Sequence, residues 1–181
     1  MNTVQPIRSA DDIRRMKERL KAVNEKYYLM FVIGLNTGLR VSDILSLTVG
    51  DVKDKTHVTI TEKKSGKRRR FMINEHLKQE IDRHIAGAEP MDYLVKSRKG
   101  KNRPVNRCQA YKVLNDAAKS LGLSEVGTHT MRKTFGYWHY KQHKDVAILQ
   151  DILNHDAPSV TLRYIGIDDD AKDSTLRNFF L

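Results

Sequence analysis

The sequence predicts a mainly α-helical domain with one small antiparallel β-sheet (α+β). Three observations lead there. Apolar residues recur at spacings of three and four through most of the chain, the signature of helices with one buried face. One stretch, Asp51 to Asn74, breaks that pattern with two strand-like runs around a glycine turn. A length of 181 residues suits one domain, or one with a small appendage.

Taken in order, Ser9 before Asp11-Asp12 marks a helix start, a capping hydroxyl with carboxylates in the first turn. Ile13, Met16 and Leu20 carry that helix to about Val23. A second helix runs from about Glu25 to Asn36, apolar nearly all round from Tyr28 to Ile33, which predicts a central core position. Gly38 ends it, and Ser42-Asp43 opens a third, short helix.

His57–Thr61 and Arg69–Ile73 read as two strands, joined by a hairpin turn at Lys64-Ser65-Gly66-Lys67. An amphipathic helix follows from Glu75 to about Ala86, then a short extended piece at Tyr93-Leu94-Val95. Lys96 to Arg107, with Gly100 and Pro104, reads as a loop that stays mobile until it meets a partner. Further helices are expected over Asn106–Leu121, from His129 to about His143, over Asp145–Leu153 and over Ser159–Tyr164. An amphipathic tail, Ala171–Leu181, ends in Phe179-Phe180-Leu181.

The formal charge of +11, from 33 Lys and Arg against 22 Asp and Glu, favours a polyanionic partner, nucleic acid first. The single cysteine, Cys108, excludes an intramolecular disulfide; apolar neighbours Ala110, Val113 and Leu114 predict a buried structural thiol. Met1 to Ala10 lacks an apolar secretory core, and the apolar stretch Tyr27–Leu35 is too short to cross a bilayer. A soluble, cytoplasmic protein with no membrane partner is expected. His139 and His143 sit four apart, but no third ligand accompanies them in the motif, so no metal site is assigned.

Chemistry concentrates in Thr128-His129-Thr130-Met131-Arg132-Lys133-Thr134. His129 and Arg132, three apart, share a face if the segment is helical. His155 follows in Leu153-Asn154-His155-Asp156, Tyr164 follows Arg163, and Arg40 follows Gly38-Leu39 far upstream. Two arginines suit a phosphodiester, because a guanidinium forks onto two oxygens and keeps its charge. Tyrosine suits a covalent intermediate that preserves the bond energy for rejoining.

Two basic clusters flank this set. Lys63, Lys64, Lys67, Arg68, Arg69 and Arg70 crowd the hairpin, which reads either as a solvated edge or, as we favour, as a ribbon on a phosphate backbone. Lys96, Arg98, Lys99, Lys101, Arg103 and Arg107 fill the long loop, a solubilising loop or a second nucleic-acid contact. Lys133 completes the candidate DNA-binding residues.

The phrases "NTGLRVSDILSL", "KKSGKRRRFMIN", "THTMRKTF" and "LNHDAPSVTLRYIGI" together resemble the catalytic domain of the tyrosine recombinases, the phage-integrase family. The resemblance covers roughly Arg8 to the carboxyl terminus. It implies that Arg40 and Arg132 clamp the scissile phosphate and that Tyr164 attacks it, leaving a 3′-phosphotyrosyl link and a free 5′-hydroxyl. It implies that Lys64 is the general acid, with Lys63 and Lys67 competing for the part, that His129 assists proton transfer and that His155 hydrogen-bonds the phosphate. Such a reaction needs no metal or other cofactor.

Asp156 departs from the pattern, since many relatives carry a small residue there; it is expected to point away and cap the next helix. Relatives also carry an amino-terminal helical domain that completes a clamp round DNA, whereas about ten residues precede the first helix here. The expectation is one catalytic domain over residues 1–181, core about 8–170 and tail helix 171–181. Its partners would be double-stranded DNA, a second copy met through the tail, and an accessory DNA-binding protein or separate amino-terminal domain. The alternatives are a non-catalytic DNA-binding module of the same fold and a type IB topoisomerase-like enzyme.

Overall fold

The computed structural model describes residues 4–61, 66, 68–177 and 179–180. Helix α1 (Ala10–Val23) starts where Ser9 Oγ accepts from Asp12 N and ends at Asn24, whose side chain in turn caps α2 (Glu25–Thr37). Helix α2 buries Leu29 through Gly34 on all sides and packs against α1, α3 (Val41–Ser46), α5 (Glu75–Ile85) and α7 (Thr130–His143). It is the central helix that its all-round apolar run predicts.

Gly38 closes α2 in the left-handed region, φ 66°, and a Cβ there would stand 2.5 Å from the Phe135 ring. Conformation and close packing both demand glycine. One element escaped the sequence reading: α4 (Val49–Val52). It is a single turn, held by the Asp51 carboxylate accepting from the Thr48 N–H and hydroxyl.

Strands β1 (His57–Thr61) and β2 (Arg68–Met72) pair antiparallel with Val58 opposite Phe71. The second strand lies one residue earlier than its apolar run suggests. Val58, Ile60 and Phe71 turn inward and Arg68 and Arg70 outward, as alternation requires. The basic loop after Val95 folds back as a small ladder: Lys96 bridges Pro104, Ser97 N donates to Arg103 O at 2.7 Å, and Val105 N to Val95 O at 2.8 Å.

Helix α6 (Arg107–Ser120) buries Ala110, Leu114, Ala117 and Ala118. Cys108, contrary to expectation, is exposed, because two residues of helix turn it away from the face Ala110 occupies. Helices α8 (Val146–Leu153), α9 (Pro158–Ile165) and α10 (Ile167–Leu176) complete the chain. The main core runs from Ile7 to Met131, while Tyr137, Leu149, Leu153 and Ile165 form a second, smaller one. Helix α7 supplies residues to both.

The tail helix starts at Ile167, four residues before its expected start, and buries none of its side chains. Beyond it Phe179 and Phe180 are 64% and 96% exposed.

Candidate active site

Three chain breaks and α7 bring the candidate residues together. Arg40 is the residue before α3, two beyond the Gly38 break. His129 sits at the amino-terminal end of α7 with Arg132 one turn inside it. His155 follows the left-handed Asn154 that ends α8, and Tyr164 lies in the last turn of α9.

Arg132 is only 4% exposed. Its Nη1 donates to Gly38 O and its Nη2 to Leu153 O at 2.5 Å. A buried guanidinium keeps its charge and must satisfy its N–H groups, so carbonyls at two helix ends fix its plane. Those carbonyls stand two residues before Arg40 and His155. One side chain therefore sets the distance between the segments that carry Arg40 and His155.

The Tyr164 hydroxyl stands 3.5 Å from His129 Nδ1, within reach of the charge of Arg132. His155 meets the Tyr164 ring edge-on at 4.9 Å, and Lys133 Nζ lies 5.2 Å from the ring centre. Burial pushes the phenol's pKa up, while the charges of Arg132 and Arg40 pull it down. Burial, assisted by Arg107 and Arg132, pushes His129 below the ordinary histidine value. Burial and the same two site arginines, Arg132 and Arg40, lower His155. Both rings are thus neutral at pH 7, and a neutral His129 beside a phenol is a proton acceptor.

Thr161, fully buried, escaped the sequence reading. Its Oγ1 lies 3.0 Å from His155 Nδ1 and 3.5 Å from Ala157 O. Donating along the shorter contact leaves Nε2–H of His155 free to face an anion. The signal was available, since Thr161 precedes Tyr164 by three and so shares its helix face.

Asp156 does not act as a cap: α9 begins after Ala157, with no side-chain hydrogen bond at its start. Its exposed carboxylate raises the pKa of His155, against the arginines. Proline at the first position of α9 already fixes the helical start without a cap.

The basic residues divide. Lys63, Lys64 and Lys67 lie outside the described residues. Arg68 and Arg70 are exposed on β2, Arg70 Nη2 lying 2.9 Å from His57 Nδ1. Arg69 instead turns to α8, its Nη2 donating to Asp151 O at 2.5 Å and Ile152 O at 2.8 Å. Lys96 pairs with Asp92 at 2.6 Å, while Arg98, Lys99, Lys101, Arg103 and Arg107 are exposed. Arg107 and Lys133 are near enough to act on His129. The rings of His139 and His143 meet at 4.7 Å, tilted by 49°, and among the described residues no group of three His, Cys, Asp or Glu could hold a metal ion.

Residues 9–170 match the model of the phage integrase family. The probable integrase/recombinase YoeC of Bacillus subtilis (strain 168) is 48% identical over 179 residues, 99% of this chain and 98% of that one. Tyrosine recombinase XerC of Staphylococcus saprophyticus is 30% identical over 138 residues, 73% of this chain and 46% of that one. The chain thus spans about half the length of this second relative. In fold it is similar to the XerH site-specific recombinase, solved bound to palindromic difH substrate in a post-cleavage complex, with TM-score 0.74 and 18% identity over 98% of this chain and 53% of that one. The chain belongs to the phage integrase family, the tyrosine recombinases.

Proposed function

We propose that this chain cleaves and rejoins double-stranded DNA in site-specific recombination, with Tyr164 as nucleophile in its own protomer's site. The observation that carries the reading is the approach of the Tyr164 hydroxyl to His129 Nδ1, 3.5 Å, beside the buried Arg132. In the forward step the phenol proton passes to His129 and the phenolate oxygen bonds to phosphorus. The 5′-oxygen then departs, taking a proton from a lysine of the hairpin, Lys64 on the family resemblance. Arg40 and Arg132 hold the non-bridging oxygens, and their charge is worth most as the transition state spreads negative charge over them. His155 donates from Nε2 to the same phosphate. Attack by a partner strand's 5′-hydroxyl reverses the sequence and restores the tyrosine.

The net charge of +11 supports DNA as partner, with the exposed arginines of β2 and of the Lys96–Arg107 segment as its contacts. XerH carries its DNA substrate in the structure compared above. Exposed Leu176, Phe179 and Phe180 support self-association on DNA through the tail. Further DNA-binding surface, from an accessory protein or a separate domain, completes the grip. The reading places the protein in the cytoplasm, on DNA; no helix among the described residues is long and apolar enough to cross a membrane.

The test is a suicide substrate, nicked duplex whose freed piece diffuses away after cleavage, drawn from a pool of candidate sequences and incubated in EDTA. A covalent protein–DNA band from the wild type and none from Tyr164→Phe is expected. Retention of DNA without a band points to the non-catalytic module and overturns the proposal.

A further inference from the structure

The segment before α1 crosses the back of the nucleophile's helix bundle. Gln5 N donates to Glu125 O, Ile7 N to Thr134 Oγ1 at 2.9 Å, and Trp138 Nε1 to Ile7 O at 3.0 Å. These bonds tie residues 5–7 to α7 and the loop before it. They deliver Arg8 to the joint between α9 and α10.

There the Arg8 guanidinium makes three contacts. Its Nε donates to Asp170 Oδ1 at 2.8 Å, its Nη2 to Gly166 O at 3.3 Å, and its Nη1 to Gln5 Oε1 at 3.5 Å. Its carbon end lies 5.5 Å from the Tyr137 ring centre. Gly166, at φ 80°, ends α9 and begins α10. It stands two residues after Tyr164.

A glycine between two helices is the natural hinge of the pair. Helix α10 has no fully buried side chain; its first residue, Ile167, packs partly buried against the small core, right beside the Arg8 contacts. Arg8 grips the start of α10 at two points, the Gly166 carbonyl, which also accepts from Asp170 N, and the Asp170 carboxylate, and it lies against Tyr137 of α7.

We infer that Arg8 is a positioning residue for the nucleophile. By tying Gly166 O and Asp170 to α7 and the segment before α1, it fixes the chain that leaves α9 and keeps Tyr164 beside His129 and Arg132. The inference rests on Tyr164 being the nucleophile. Only a planar fork spans both acceptors, and an ammonium reaches one at a time. A partly exposed ion pair contributes little to global stability, so its loss loosens the joint without unfolding the domain.

The test uses the full chain with 3-fluorotyrosine placed at position 164, read by fluorine NMR, beside the suicide-substrate assay. The wild type is expected to give one resonance. Arg8→Ala is expected to add a second, solvent-like resonance and to slow covalent-complex formation about tenfold, the rate equivalent of one charge-assisted hydrogen bond. DNA retention and the melting midpoint stay as in the wild type. Arg8→Lys restores the rate only in part, and Arg14→Ala, which cuts an exposed ion pair with Asp11 and Glu18, changes neither reading.

A fluorine spectrum of Arg8→Ala that superimposes on the wild type's overturns the inference. If Arg8→Ala does not fold, Asp170→Asn carries the same comparison with the same two outcomes. If the wild type forms no covalent complex, the cleavage reading falls, and the spectrum alone decides whether Arg8 holds Tyr164.

Discussion

Gly136 of α7 lies against Ile165 of α9 so closely that a Cβ at position 136 would stand 2.7 Å from Ile165 Cγ2. Ile165 is fully buried and follows Tyr164 directly. The distance between the helix bearing Arg132 and the helix bearing Tyr164 is thus set by a missing methyl.

Gly136→Ala should therefore push α9 outward. Overpacking of this kind costs about 1–3 kcal/mol, to be read from denaturant melts. Covalent-complex formation should fall more steeply than the folded fraction at assay temperature. Equal falls would show that the contact serves stability alone.

Arg132→Lys removes the fork that holds Gly38 O and Leu153 O. Leaving a buried carbonyl unpaired costs about 1–3 kcal/mol. The variant should melt earlier, still bind DNA in low salt, and form no covalent complex. Normal stability in this variant would mean that the two carbonyls find other partners.

Thr161→Val keeps the shape of a fully buried side chain and deletes the hydroxyl that meets His155 Nδ1. A neutral hydrogen bond is worth about 1 kcal/mol, so cleavage should slow about fivefold. DNA affinity should hold. An unchanged rate would remove Thr161 from the site.

Stability should depend on pH through histidine. His129, His139 and His155 all lie below the ordinary value, with burial as the leading cause for each. Below about pH 6.5 the unfolded chain takes up protons that the folded chain refuses. The melting midpoint should therefore fall as pH drops from 7 toward 5. The slope should ease in His129→Gln and His139→Gln, measured singly. Cleavage should persist somewhat below pH 6.5, because the proposed proton transfer needs a neutral His129 and its folded pKa is depressed.

Helices whose apolar residues recur over three or more turns were legible in the sequence, as were the strands, because periodicity reports a buried face directly. Helix α4 was not, since four residues hold no period, and its cap comes from a box that Thr48 and Asp51 form in place. Cys108 was misread because neighbours in sequence were taken as neighbours in space, and a helix separates positions two apart. Arg40, His129, Arg132, His155 and Tyr164 could be singled out by residue type and spacing. The carbonyls of Gly38 and Leu153 could not, for every residue owns a carbonyl and only the fold selects two. Arg69 was invisible for a similar reason: within a run of basic residues, nothing marks the one that turns inward to the end of α8.

The two unequal cores give the protein two levels of resistance to opening. The small one, four fully packed side chains around α7, α8 and α9, carries Tyr164, while the large one carries Arg40 and the first turns of α7. Amide hydrogens in α8 and α9 should exchange by sub-global opening well before those of α2. The scaffold of Tyr164 then comes and goes many times within the lifetime of the half of the fold that carries Arg40.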